Sequence, residues 1–107
     1  MEFHHIVLRV PEDRIAAFDQ HLAATFPAFN APDGMLLVIA ASKDQPGIYH
    51  FTSVLANREK VFLDARAAGG GSLLLHPLLE QFGAEIVSRD RATVAGLTTP
   101  RWNYPSA

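Results

Sequence analysis

Imidazole is the side chain most able to do chemistry here. The chain has five histidines and no cysteine, and histidine alone titrates near neutrality in its ordinary state. The missing cysteines exclude disulfides, thiol nucleophiles, zinc ribbons and iron–sulfur clusters. His50 lies within IYHFTSVL, a run of strand-forming residues. A histidine in the middle of an apolar sheet face is costly unless it is satisfied. It therefore serves either a ligand contact or a cross-strand hydrogen bond, and it is the first candidate for proton transfer. His4 and His5 follow as candidates. Neighbours on a strand point to opposite faces, so these two cannot enter the same cavity; one is expected to face the core, bonded to a backbone carbonyl. Arg9 and Tyr49 offer a cation and a phenol to orient a substrate, although Arg9 could equally snorkel to the edge or pair with Glu85 or Asp90. His76 precedes Pro77, where non-helical backbone is expected, and it joins the substrate-contact candidates. So do Trp102 and Tyr104, whose rings would pack on a partner or cover a pocket. His21 reads as a surface residue. No Ser-His-Asp order, paired-carboxylate site or metal-ligand set is evident. Gly69-Gly70-Gly71 lacks the Lys-Ser/Thr of a phosphate loop and reads as a hinge or turn.

The elements that must carry these groups follow from periodicity. EFHHIVLRV, from Glu2 to Val10, predicts a strand buried on both faces, with Phe3 and Val7 on one side and Ile6, Leu8 and Val10 on the other. Pro11, Glu12 and Asp13 suit a helix start. Ile15, Phe18, Leu22 and Phe26 then draw an apolar stripe that Pro27 closes. Met35–Ala41 and Ile48–Leu55 predict a hairpin around Lys43–Gly47. Asn57 is placed to cap a helix from about Arg58 to Ala68, with Val61, Phe62 and Ala65 on its buried side. Another helical piece starts near Ser72 or Pro77 and ends at Phe82, with Gly83 as its stop. Ala84–Ser88 and Thr93–Thr99 read as two strands around an Arg89-Asp90-Arg91 turn.

This order predicts a ferredoxin-like α+β sandwich, an antiparallel sheet with both helices on one face, over residues 1–99, with a tail at 100–107. The first three strands carry almost no charge, so the sheet face away from the helices should be apolar and need a cover. A second copy of the chain is the simplest cover, and two sheets meeting there would enclose a chamber. The alternative cover is the tail itself.

At 107 residues, 49% hydrophobic and 19% charged, the chain is one globular domain. A net charge of −2 with nine Lys and Arg argues against a nucleic-acid binder. No apolar run reaches the roughly 18 residues of a membrane span, and the first residues lack a secretory pattern. The expectation is a cytoplasmic protein with neither nucleic acid nor membrane as partner.

HHIVLRVPED and GIYHFTSVLANREKVFLDA resemble the first strand, and the third strand with its following helix, of the dimeric α+β barrel proteins. These include stress-responsive barrels, small polyketide cyclases and antibiotic-biosynthesis monooxygenases. The resemblance implies a homodimer whose cavity takes a small apolar or aromatic molecule, without cofactor or metal, for proton transfer or oxygenation. In cyclase-like members a first-strand histidine lines the cavity, which falls here on His4 or His5. Their His-Pro-Ala-His segment corresponds to His76-Pro77-Leu78-Leu79, with the acting histidine replaced by Leu79. Arg101, Trp102, Asn103 and Tyr104 match side-chain types used by the monooxygenases, but in the tail.

A second resemblance is weaker. FHHIVLRVPED and IYHFTSVLANREKVFLDARAAGG are similar to module starts of the vicinal-oxygen-chelate proteins, which would put His5 and His50 at the metal histidines. The stretches LLVIAAS and VAGLTTP carry no acid where that family supplies one, so this resemblance implies a ligand-binding protein without a full metal site. A third reading makes the apolar face an oligomer interface of a non-catalytic regulatory domain.

Overall fold

Alternating apolar residues make the first segment a central strand, and the remaining strands assemble around it. In the computed structural model the described residues are 1–25, 34–57, 59, 60, 63 and 75–97, with the backbone alone for 75–77. Strand β1 (Glu2–Arg9) leads through a 3-10 turn (Glu12–Arg14) into helix α1 (Ile15–Thr25). Strands β2 (Met35–Ala41) and β3 (Ile48–Leu55), helix α2 (Leu75–Phe82) and strand β4 (Glu85–Thr93) complete the order. The sheet runs β2-β3-β1-β4, with every neighbouring pair antiparallel. This is the ferredoxin-like α+β arrangement.

Both helices pack on one face. Leu8, Tyr49 and Phe51 from the strands and Val10 just beyond β1 meet Phe18 of α1 and Leu78 and Phe82 of α2 in one buried cluster. Phe18 is fully buried, its ring 4.6 Å from Tyr49 and 5.4 Å from Phe82, the latter edge-on. Ile15 and Leu22 pack against this cluster as the stripe requires. Phe26 and Pro27 lie outside the described residues, as do Val61, Phe62, Ala65 and the three consecutive glycines. The Asn57 cap is present: its Oδ1 accepts the Lys60 backbone N–H at 3.0 Å, and Glu59, Lys60 and Leu63 are helical. Gly83, at φ 64°, ends α2 in the left-handed conformation that glycine takes at least cost.

Two expectations are corrected. Arg89-Asp90-Arg91 is no turn: Glu85–Thr93 is one continuous strand, paired with β1 along its length. An edge strand exposed along most of its length takes charged residues without desolvating them, and the segment has no Gly, Pro or Asn on which to reverse. Its irregularity is a bulge, with Val87 the extra residue between Ile86, opposite Leu8, and Ser88, opposite Val7. The second correction concerns β1. Leu8 is fully buried on the helix side, whereas Phe3, His5 and Val7 on the other side are only half-buried.

Gly47 joins the hairpin to the end of β1. Its carbonyl accepts the Val10 N–H at 2.8 Å, its φ is 86°, and an added Cβ would stand 2.7 Å from the Val10 carbonyl oxygen. Gly47→Ala is expected to cost about 2–3 kcal/mol through combined backbone strain and steric conflict, read as a lower urea midpoint.

Candidate functional site

The strand registers decide which side chains share the face away from the helices. His5 stands opposite Thr52, and Val7 opposite His50. His5 and His50 are therefore diagonal neighbours on that face, within reach of one another across the strands. His5 Nε2 and His50 Nδ1 are 3.0 Å apart, and the rings stack with centroids at 5.2 Å and planes 14° apart. The Phe3 ring lies 6.5 Å from that of His5. Around the pair the surface is apolar: Val7 lies on β1, Ile48 and Val54 on β3, and Leu36 and Val38 on the edge strand β2. Leu36 is 57% exposed and Val38 52%. On the opposite side β4 supplies a polar border, with Ser88, Asp90 and Ala92 facing Val7, His5 and Phe3 respectively. At the border's end Arg9 Nη1 donates to Glu85 Oε1 at 2.9 Å, with both side chains largely exposed.

A hydrogen bond between two neutral imidazoles fixes their tautomers jointly. If His5 Nε2–H donates, His50 keeps its proton on Nε2 and His5 offers a bare Nδ1. If His50 Nδ1–H donates, His50 Nε2 is the bare nitrogen and His5 carries Nδ1–H. Either way the pair presents one proton acceptor and one proton donor, the equipment of acid–base catalysis.

Of the candidates named from the sequence, His5, His50 and Arg9 come to this face. His4 and Tyr49 lie on the helix side. His4 Nε2–H donates to Glu2 Oε2 at 3.0 Å, a carboxylate in place of the expected backbone carbonyl. That bond, outweighing partial desolvation and aided by the Arg91 guanidinium, holds the Glu2 carboxyl below the usual carboxylate range. The stability it contributes is present above that ordinary range and is lost as pH falls through the lowered value. His21 is half-buried with its ring 5.2 Å from Phe82, so it is more than a surface residue. His76 belongs to α2; Trp102 and Tyr104 lie outside the described residues.

Tyr49 is a core residue. Its hydroxyl donates to the Asp19 carboxylate, and burial, then that bond, pushes the phenol well above its usual range. Tyr49→Phe should cost about 1–2 kcal/mol at neutral pH. A raised folded-state value contributes stability below the unfolded phenol's pKa of about 10 and loses it as pH climbs beyond. The gap between the two proteins should therefore hold up to about pH 9 and narrow above about pH 10 in urea titrations.

Asp90 is the residue that sequence reasoning left out of the site. No periodic signal would have found it. Counting by twos from Ile86, whose side chain packs against the core, puts Asp90 on the helix side, and only the bulge brings it opposite His5. Among the described residues, no group of three or more His, Asp or Glu is placed to hold a metal ion. Nor is any of their helices long and apolar enough to cross a membrane.

No protein-family model and no curated protein matches the chain. Among solved structures, it is similar to a protein of Deinococcus radiodurans provisionally described as an antibiotic biosynthesis monooxygenase. The TM-score is 0.67 at 17% identity, covering 94% of this chain and 98% of that one. At that identity the likeness establishes a shared fold, the ferredoxin-like α+β sandwich.

Proposed function

We propose that the open sheet face holds a small apolar or aromatic molecule in a chamber closed by a second copy of the chain. There the His5–His50 pair transfers a proton to or from the bound molecule without a cofactor. One observation carries this reading: two hydrogen-bonded imidazoles stand between the apolar half of the face, on β2 and β3, and its polar border on β4. Polar groups in apolar surroundings cost free energy unless they are hydrogen-bonded. Their mutual bond satisfies one nitrogen of each ring, and His50 Nε2 is available to a ligand. His50 takes a proton from an acidic C–H or O–H of the substrate, and the bond to His5 steadies the imidazolium that forms. The Arg9 guanidinium, at the polar border, would orient a phenolic or anionic end. His76, Trp102 and Tyr104 stay candidates for the chamber lining by their residue types.

The second copy is proposed because the apolar part of the face continues out to the exposed Leu36 and Val38 on β2, while the charges collect on β4. A two-fold contact between identical faces would bury both apolar halves. The fold shared with the Deinococcus radiodurans protein agrees with oxygenase-type chemistry on a small molecule, in which the same proton removal prepares an electron-rich carbon for dioxygen.

Titration of the full chain with a panel of small phenols and fused-ring aromatics, read by backbone amide shifts, tests this. Binders should move the amides of Phe3, His5, His50 and Thr52 together. Shifts confined to the helix side, or none across the panel, would overturn the reading.

A further inference from the structure

We infer that Asp90 is a positioning residue for the histidine pair, its carboxylate taking the Nδ1 proton of His5 and so making His50 Nε2 the basic nitrogen. The inference rests on the reading above for its purpose, but its geometry stands alone. Asp90 is the cross-strand partner of His5 in the β1–β4 register. Such partners share a face with Cβ atoms about 4.5–5.5 Å apart, a gap that a carboxylate and an imidazole can bridge with one hydrogen bond. Asp90 makes no hydrogen bond or ion pair with any described residue, His5 included, so its carboxylate is uncommitted, and the inferred bond is one that a rotation of this exposed side chain would make. The neighbouring arginines are engaged elsewhere: Arg9 with Glu85, and Arg91 with Glu2 on the opposite face.

The tautomers then follow in sequence. An ionised carboxylate only accepts, so it favours the His5 ring that carries its proton on Nδ1. His5 Nε2 is then bare and must accept, which obliges His50 to donate from Nδ1. His50 Nε2 is left without a proton. When it gains one from a substrate, the positive charge on the His50–His5 pair is balanced by Asp90 at the far end. Asp90, on the border strand, thus decides which of the two otherwise equivalent tautomer sets the site adopts.

The test reads protons rather than turnover, so it remains informative even if no substrate is found. Long-range nitrogen–proton correlation spectra of the labelled full chain distinguish protonated from bare ring nitrogens. The unmodified protein should show His5 protonated at Nδ1 and His50 bare at Nε2. Asp90→Ala should bring the two tautomer sets towards equal population while the amide spectrum elsewhere is kept, and Asp90→Glu should restore the bias. A bare His5 Nδ1 in the unmodified protein, or an Asp90→Ala spectrum with the same ring signals, would overturn the inference. Correct ring signals in a protein that binds no aromatic molecule would instead count against the function proposed above and leave the role of Asp90 intact.

Discussion

Replacing His50 with alanine is expected to cut turnover of a bound aromatic substrate by about 10²–10⁴-fold, the usual contribution of a positioned acid or base. The size follows from what is removed. His50 Nδ1 is engaged with His5, and its other nitrogen is the one available to act. The loss should fall on kcat more than on KM, because an apolar ligand gains most of its binding from the surrounding Phe3, Val7 and Val38 side of the face. The fold should survive: His50 is half-buried and stands outside the core cluster of Leu8, Phe18, Tyr49 and Phe82. His50→Gln would restore a hydrogen bond to His5 but no titrating group, so it should remain as slow as alanine. Variants that turn over normally would remove His50 from the chemistry. Variants that unfold would make the imidazole pair a structural cross-strand bond.

The second large effect concerns assembly. Val38 is 52% exposed near the middle of β2, opposite Thr52 on β3. Burying a valine contributes about 1.5–3 kcal/mol. In a two-fold interface Val38→Glu is introduced twice, each time replacing that contribution with a desolvated carboxylate. The dimer dissociation constant should rise by at least about 100-fold, roughly 3 kcal/mol. The protomer should stay folded, because Val38 of a single chain meets solvent on an edge strand. Size-exclusion chromatography over a dilution series measures the shift, and circular dichroism checks that the sheet is intact.

The features legible in the sequence were those that a single period controls. Alternation placed Leu8 and Val10 on the core side of β1, and the same alternation set His4 and His5 on opposite faces. Within IYHFTSVL the large apolar residues Tyr49, Phe51 and Leu55 claim the core, which leaves His50 and Thr52 to the open face. Alternation alone does not decide the role of Tyr49, because a phenol reads equally well as a ligand contact or as a core ring with a polar tip, and its partner Asp19 lies 30 positions away. The last strand is hidden for a different reason. Arg89, Asp90 and Arg91 look like a turn because strands seldom carry three consecutive charges, and only an exposed edge permits it. Even a correct strand would have misplaced Asp90, because the bulge at Val87 reverses which residues face the histidines. A bulge answers to the pairing of two distant strands, so local pattern carries little trace of it.

The central claim is that two copies of this chain close over the face bearing His5 and His50. Sedimentation equilibrium of the unmodified full chain across micromolar concentrations tests it most directly. A mass twice the 11.7 kDa of one chain, falling towards a single chain only on strong dilution, is the expected result. A steady 11.7 kDa at every concentration would contradict it and leave the apolar face to be covered from within the same chain.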